Sequence, residues 1–283
     1  MTEKEYSTKW RMAAHQPLRF SSRVRNSFRH IAFSILAIID NKCEDKFLRA
    51  LFTHYVFDDQ KEQFEKLIIR LKQLGTFINT ETCIQMLEGR REIDKGYFHL
   101  SFDDGFRNVY NNAFPILQMQ SIPALFFIPS SWIDANWEQA RSYCLIKTEN
   151  RGVIEMSRWS DLRDMVSHGF EIGSHSKTHT RLSYISKNND ILQDEIRGSK
   201  MEIEDRLGRE CKYIAWPFGW QKAIDEYSIE TIRNVGYHAC FGGYRGTIIP
   251  NVTDKYRIPR HYFETQWPVN HIKYFANGNW ETP

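Results

Sequence analysis

The sequence predicts an α/β fold, and three observations carry that reading. At 283 residues, with 41 % apolar and 26 % charged side chains, the chain is long enough for one large α/β domain or two small ones. From Tyr97 onward, short apolar runs alternate with amphipathic stretches across short connections, the pattern of parallel strands joined by crossover helices. Two of those runs end in clustered Asp or His residues, as strands of α/β barrels do at their C-terminal ends. Alternation alone leaves two closures open: a barrel, or an open doubly wound sheet.

The elements follow in order. Residues 44–75 read as helical, because Phe47, Leu48, Leu51 and Phe52 and then Phe64, Leu67, Ile68, Leu71 and Leu74 recur at helical spacing, with Gly75 as the C-cap. Residues 80–87 read as a short helix closed by Gly89. Residues 97–102 form a strand, 108–120 a helix that Pro115 kinks, and 124–128 the next strand. Residues 129–157 read as a long aromatic-bearing loop, either a lid or cleft wall or a surface excursion. A helix over 159–167 stops at Gly169, and a strand follows at 170–173. A long charged helix over 190–207 ends at Gly208. Residues 212–216 form a strand, 224–234 a helix stopped by Gly236, and 237–241 and 256–259 the last two strands.

Composition excludes several function classes. A net charge of +3 with no broad basic field argues against nucleic acid as a partner. The five cysteines (Cys43, Cys83, Cys144, Cys211 and Cys240) are widely spaced and form no C-x-x-C pair, so neither a disulfide framework nor a cysteine zinc knuckle is expected. A reducing compartment fits that usage. Residues 1–43 read as a separate basic arm and helix, and residues 44–283 as the α/β domain. From Tyr6 to Ile39 there is no acidic residue, while Lys9, Arg11, Arg19, Arg23, Arg25 and Arg29 lead into Phe28, Ile31, Phe33, Ile35, Leu36 and Ile38. A basic stretch feeding an apolar one suits peripheral contact with an anionic membrane, or packing on the domain or on a partner subunit. The apolar run is too short to span a bilayer, and no signal peptide of the usual shape is present.

The chemistry concentrates in three segments. Ser101-Phe102-Asp103-Asp104-Gly105 runs an apolar strand straight into two adjacent carboxylates. Adjacent carboxylates repel, and a bound cation relieves them: one ligates, the other stays free as a base. Ser174-His175-Ser176-Lys177-Thr178-His179 ends another strand in two histidines four apart, a spacing that puts two imidazoles on one side of a helical turn. One Asp with two His makes a facial ligand set that leaves positions open for water and substrate, and zinc is the default divalent metal by donor type. Trp216-Pro217-Phe218-Gly219 closes a third strand in an aromatic turn, a flat wall for a sugar ring or a core turn.

In this order and at these separations, the segments resemble the motifs of the polysaccharide deacetylase family, the NodB-like carbohydrate esterases. Ser121-Ile122-Pro123-Ala124-Leu125-Phe126-Phe127 is similar to a further family strand, and the resemblance covers roughly residues 50–262. It implies a distorted (β/α) barrel of seven or eight parallel strands, here with an N-terminal basic extension. It implies Asp103 as catalytic base, with Asp104, His175 and His179 as metal ligands. The implied activity is metal-dependent removal of an N-acetyl or other N-acyl group from a sugar in surface polysaccharide biosynthesis. Another C–N amidohydrolase acting on a formamide or cyclic amide, or a non-catalytic glycan binder, are the alternatives. The partner would be an N-acylated sugar, nucleotide-linked, lipid-linked or polymeric, with the protein cytoplasmic at the inner membrane face.

Two departures from the family pattern stand out. The arginine that orients the catalytic aspartate is absent from the third motif, where Ala215 stands, and Arg260 in Arg257-Ile258-Pro259-Arg260 is the replacement. The usual Leu-x-His acid segment is also absent. His261 and His271 are the candidates for general acid, His261 the better because it follows a strand end, while His238 reads as structural within its strand.

Overall fold

The computed structural model describes residues 5–13 and 46–268, with positions 28, 31, 32, 35, 270, 272 and 274. Most of the basic arm, and His271, lie outside the described residues. Eight strands build the sheet: β1 Phe47–Thr53, β2 Thr76–Ile78, β3 Gly96–Phe102, β4 Leu125–Ile128, β5 Glu171–Ser174, β6 Tyr213–Ala215, β7 Ala239–Phe241 and β8 His261–Tyr262. The order is β7-β6-β5-β4-β3-β1-β8, and β2 shares with β4 the edge of β3 that β1 leaves free. All strand pairings are parallel. The sheet curls so that the segment entering β8 meets β7 through a single bridge, Phe241 to Ile258. The result is the distorted (β/α) barrel that the motifs imply.

Alternation along the strands divides the core. Phe98, Leu100 and Phe102 of β3 and Phe126 and Ile128 of β4 face the surrounding helices. Leu48, Ala50, Tyr97, Leu125, Phe127, Tyr213, Ala215 and Phe241 fill the inside of the curl, with Cys83, Ile84, Met86 and Leu87 of helix Thr80–Leu87 packed in the same cluster. Asn79 starts that helix by accepting from the Thr82 amide. A third, smaller cluster lies outside the barrel, where Ala13 packs with Phe57, Phe106, Tyr143, Cys144, Ile154 and Met156.

Several expectations need correction. The helix expected over 44–75 is two elements: strand β1, then helix Lys61–Lys72, which buries Phe64, Leu67, Ile68 and Leu71. β1 lies between β3 and β8 and is buried along its whole length, so apolar residues stand on both faces and no period of two marks it as a strand. The loop expected over 129–157 is about half helical, with Ser130–Trp132, Trp137–Ser142 and a wider turn over Tyr143–Lys147. Its start is an Asn136/Gln139 capping box. The strand expected at 256–259 is that single bridge at Ile258; the last strand comes later, after Pro259. The helices expected over 108–120 and 190–207 each contain a five-residue π-turn, at Val109–Ala113 and Asp194–Gly198. His238 precedes β7 and is exposed beside Glu210 rather than buried in a strand.

Candidate metal centre and active site

The site sits at the C-terminal ends of the strands, and its backbone is bent to make it. β3 delivers Asp103, whose amide donates to the Thr53 carbonyl at 3.1 Å. The chain then turns through two successive left-handed residues, Asp104 (φ 74) and Gly105 (φ 67). Ser176 (φ 59), His179 (φ 61) and Phe218 (φ 67) share that conformation without being glycine. Such residues persist only where surrounding contacts over-determine them, and they cluster at functional sites. His175 and His179 lie on a non-helical loop, not on the helical turn their spacing suggests. Buried Glu195 shapes that loop by accepting from the Lys177 and Thr178 amides at 3.1 and 3.0 Å. The two imidazole rings still converge, with centroids 5.0 Å apart.

The two aspartates have separate partners. Arg260 grips Asp103 with both prongs of its guanidinium, each at 2.8 Å, and also donates to the Ser101 hydroxyl at 3.0 Å and the Gly242 carbonyl at 2.7 Å. Arg260 is fully buried and lies over the Phe52 ring. Burial pushes the Asp103 carboxyl up, but the guanidinium outweighs it and holds the group below the usual carboxylate range. Asp103 is therefore an oriented anion, and Arg260 stands where the sequence reading puts the orienting residue.

Asp104 faces the histidines. Its Oδ1 lies 3.6 Å from His175 Nε2 and 3.3 Å from His179 Nε2, and accepts from the Tyr143 hydroxyl at 3.1 Å. His54 Nε2 lies 4.0 Å from Oδ2. Burial pushes Asp104 up, and the His54, His179 and His175 imidazoles reverse that and pull it well below the usual range. Burial pulls His175 down to about 4, so near neutrality its ring is uncharged. His175 Nδ1 lies 2.9 Å from the Ala215 carbonyl, which can only accept, so the proton sits there and the Nε2 lone pair points at Asp104. A lone pair and a carboxylate oxygen in mutual contact lack a positive charge between them. Asp104, His175 and His179 each offer one ligand atom, all within 4.8 Å of one another. Ligand atoms on a tetrahedral zinc sit about 3.3 Å apart, given bonds of about 2.0–2.1 Å. The donor set fits a divalent ion.

These residues line an open cleft of about 370 Å³. Phe218 and Trp220, ring centroids 6.0 Å apart, form one lip, and Lys147, Thr148, Glu149, His54 and Tyr262 also line the cleft. A somewhat larger hollow of about 430 Å³, lined by Glu171, Arg209 and Lys212 among others, holds none of the motif residues. The smaller cleft is the site because the carboxylates and imidazoles open into it.

The structure thus brings Asp103, Asp104, His175, His179, Arg260 and Phe218 together. It does not bring His261. That ring is 1 % exposed, its Nε2 lies 3.3 Å from the Gly246 carbonyl, and the next residue, Tyr262, takes the cleft-facing position. Trp216 and Pro217 are not wall residues either. Trp216 is buried, donating to the Trp220 carbonyl and stacking against Tyr244, and Pro217 is buried beside it. His54, Tyr143 and Trp220 are the residues that sequence reasoning missed. His54 directly follows β1 and would have been found had that run been read as a strand.

Comparisons agree with this geometry. The model of the polysaccharide deacetylase family matches residues 90–240. A Staphylococcus aureus (strain N315) protein named poly-beta-1,6-N-acetyl-D-glucosamine N-deacetylase is 26 % identical over 226 residues, covering 73 % of this chain and 71 % of that one. The Staphylococcus epidermidis protein of the same name is 24 % identical over 162 residues, and the match spans 57 % of this chain and about half (52 %) of that relative. Among solved structures, IcaB from Ammonifex degensii superposes with a TM-score of 0.65 at 21 % identity, covering 82 % of this chain and 97 % of that one. A de-N-acetylase from Aggregatibacter actinomycetemcomitans gives 0.66 at 20 % identity, over 81 % and 99 %. At these identities the superpositions speak to fold alone. The family model spans more than half the chain and takes in both the Asp103–Asp104 and the His175–His179 segments, so the chain belongs to the polysaccharide deacetylase family.

Proposed function

We propose that the chain removes N-acetyl groups from N-acetylhexosamine units of a surface polysaccharide, using a divalent ion, zinc by donor type. The observation that carries this reading is the division of labour between neighbouring aspartates: Asp103 is locked by Arg260, and Asp104 faces two imidazoles. The names of the staphylococcal relatives support the substrate class. So does the cleft, which is open and carries Trp220 (59 % exposed) and Phe218 (38 % exposed) on one lip. Aromatic faces at an open cleft suit the C–H faces of sugar rings within a polymer.

Asp104, His175 and His179 would hold the ion, which when bound would supply Lewis acidity to a water and to the amide carbonyl. Asp103 takes a proton from the attacking water at a carboxylate oxygen. A carboxylate held below its usual range is a weak base, and an acidified water is the proton donor that such a base can serve. Arg260 keeps Asp103 ionised and fixes its plane. His54, which lines the cleft and is not tied to the barrel interior, gives a proton from Nε2 to the departing amine. Tyr262 and the Phe218–Trp220 lip hold the ring.

The test is acetate release from N-acetylglucosamine oligomers by metal-loaded protein, with Asp103→Asn as control. Activity abolished by Asp103→Asn supports the reading. A metal-loaded wild type that releases no acetate from oligomers of any length overturns it.

We also propose that the basic arm rests on an anionic membrane at the cytoplasmic face. Phe28, Ile31 and Ile35, spaced for one helix face, are exposed. No helix among the described residues is long and apolar enough to cross a membrane. Flotation with anionic but not neutral vesicles is the expected result, and equal behaviour with both removes the proposal.

A further inference from the structure

We infer that Tyr143 positions the metal-binding carboxylate of Asp104, and that the N-terminal segment 5–13 holds Tyr143 in place. This inference rests on the reading of Asp104, His175 and His179 as a metal site.

Tyr143 does not belong to the barrel. It stands where helix Trp137–Ser142 passes into the wider turn Tyr143–Lys147, inside the segment that links β4 to the helix before β5. Even so, it touches two of the three ligand residues. Its hydroxyl donates to Asp104 Oδ1 at 3.1 Å, the same oxygen that faces both imidazoles. Its ring stands edge-on to His179, with centroids 5.6 Å apart and planes at 80°. The ring is fully buried, with Phe106 and Trp132 on its other sides at 5.9 and 5.2 Å. A hydrogen bond to a ligating oxygen fixes which lone pair remains for the ion, and such outer partners set affinity as well as orientation. His175 has a partner of this kind in the Ala215 carbonyl, and Tyr143 serves Asp104 in the same way.

The inserted segment is tied to the barrel at its two ends, where the Ser131 amide donates to the Lys177 carbonyl at 3.0 Å and the Arg107 amide to the Glu155 carbonyl at 2.8 Å, and the start of the chain braces it between them. The Ser7 amide donates to the Val153 carbonyl at 2.7 Å, and the Arg151 amide donates to the Ala13 carbonyl at 2.9 Å. The same strap is tied to the barrel on its other side. The Asp58 amide donates to the Thr8 carbonyl at 3.0 Å, and the Trp10 amide donates to Asp59 at 3.1 Å. Ala13 is buried in the cluster that holds Tyr143, Cys144, Val153 and Ile154. Gly152 marks the crossing: a Cβ there would collide with the Ser7 hydroxyl and the Met12 carbonyl. The strap therefore bridges the barrel and the segment that carries Tyr143.

The experiment measures zinc affinity of the full chain by competition with a chromogenic chelator, alongside the melting temperature of the metal-free protein. Tyr143→Phe keeps the ring and deletes the donor. It should weaken zinc binding about 10- to 100-fold and leave the metal-free melting temperature close to wild type. Ser7→Pro removes one strap bond and should weaken zinc binding in the wild-type background. In the Tyr143→Phe background it should do little more, because both changes act through one contact. Gly152→Val displaces the strap more severely and serves as a second strap variant. Unchanged affinity in Tyr143→Phe overturns the role of the hydroxyl. Losses that add in full overturn the coupling to the strap. A wild type that takes no zinc at all removes instead the metal-site reading on which the inference stands.

Discussion

Replacing Arg260 by methionine removes the guanidinium while keeping an unbranched chain in the same space. In the native protein both oxygens of Asp103 are held by that fork at 2.8 Å, and the two side chains are 0 % and 3 % exposed. Breaking a buried pair by deleting one partner leaves an uncompensated charge, a loss of about 3–5 kcal/mol. At roughly 2 °C per kcal/mol for a chain of this size, the melting temperature should fall by roughly 6–10 °C at pH 8. The loss should depend on pH with a defined sign. The native Asp103 pKa lies below its ordinary 3.8, so its contribution is present above that value and disappears only in stronger acid. Without Arg260 the largest opposing influence is gone and burial, which outranks His175 and His54, raises the pKa, so the variant gains a proton on folding and becomes relatively more stable as pH falls. The gap between wild type and variant should therefore narrow from pH 8 toward pH 5. The acid limb of kcat/KM for acetate release should move upward as well, because Asp103 must be ionised to act. Arg260→Lys should recover part of the stability without the two-pronged geometry. A methionine variant that melts within 2 °C of wild type, with an unmoved acid limb, would refute the assignment of Arg260 as the group that keeps Asp103 charged.

Four further outcomes follow from the same geometry. His54→Gln should lower kcat by about 10²–10⁴-fold with zinc affinity little changed. His261→Gln should instead lower the melting temperature and leave the shape of the pH–rate profile alone, and the reverse pattern would return the acid role to His261. Trp220→Ala should raise KM for long oligomers more than for a monomeric N-acetyl sugar, since the exposed ring sits on the cleft lip; equal effects on both would remove it from the substrate path. In the metal-free protein, burial holds His175 down to about 4 and His99 to about 3, while both titrate near 6.5 when unfolded. The unfolded chain then binds more protons between those values, so denaturant stability should fall as pH drops from about 6.5 toward 4, by about 3 kcal/mol for His175 alone. A flat profile across that range would contradict two buried neutral imidazoles.

Much of this site was legible in the sequence because its chemistry is local. Asp103 and Asp104 are adjacent, His175 and His179 are four apart, and each pair follows a run that reads as a strand. Arg260 was reachable only through the Ile258-Pro259-Arg260 resemblance, since its partner lies 157 residues away. His54 was hidden by the misread β1, whose unbroken burial erases the alternation that marks a strand. His261 was misplaced by strand phase. With β8 at 261–262 rather than 256–259, alternation gives the cleft to Tyr262 and turns His261 inward. Trp216 was read as a wall of the aromatic turn, and the turn buries it and exposes Trp220 instead. Tyr143 was legible only as one aromatic of the 129–157 loop, because its contact with Asp104 depends on where an inserted helix docks.

The placement of Arg260 also bears on how the chain is made. Translation at about 5–20 residues per second separates the emergence of Asp103 from that of Arg260 by roughly 8–30 s. Throughout that interval β1 and β3 are available to pair, but the carboxylate at the end of β3 has no counter-charge in a dry setting. The nascent barrel must therefore keep that end wet, with Asp103 solvated, until the final strand arrives beside the first. A ribosome that stalls before codon 260 releases a chain whose strands β1 to β7 are all present and whose centre cannot be sealed. Such a chain lacks both β8 and the counter-charge of Asp103, so the site closes only once residue 260 has joined the barrel.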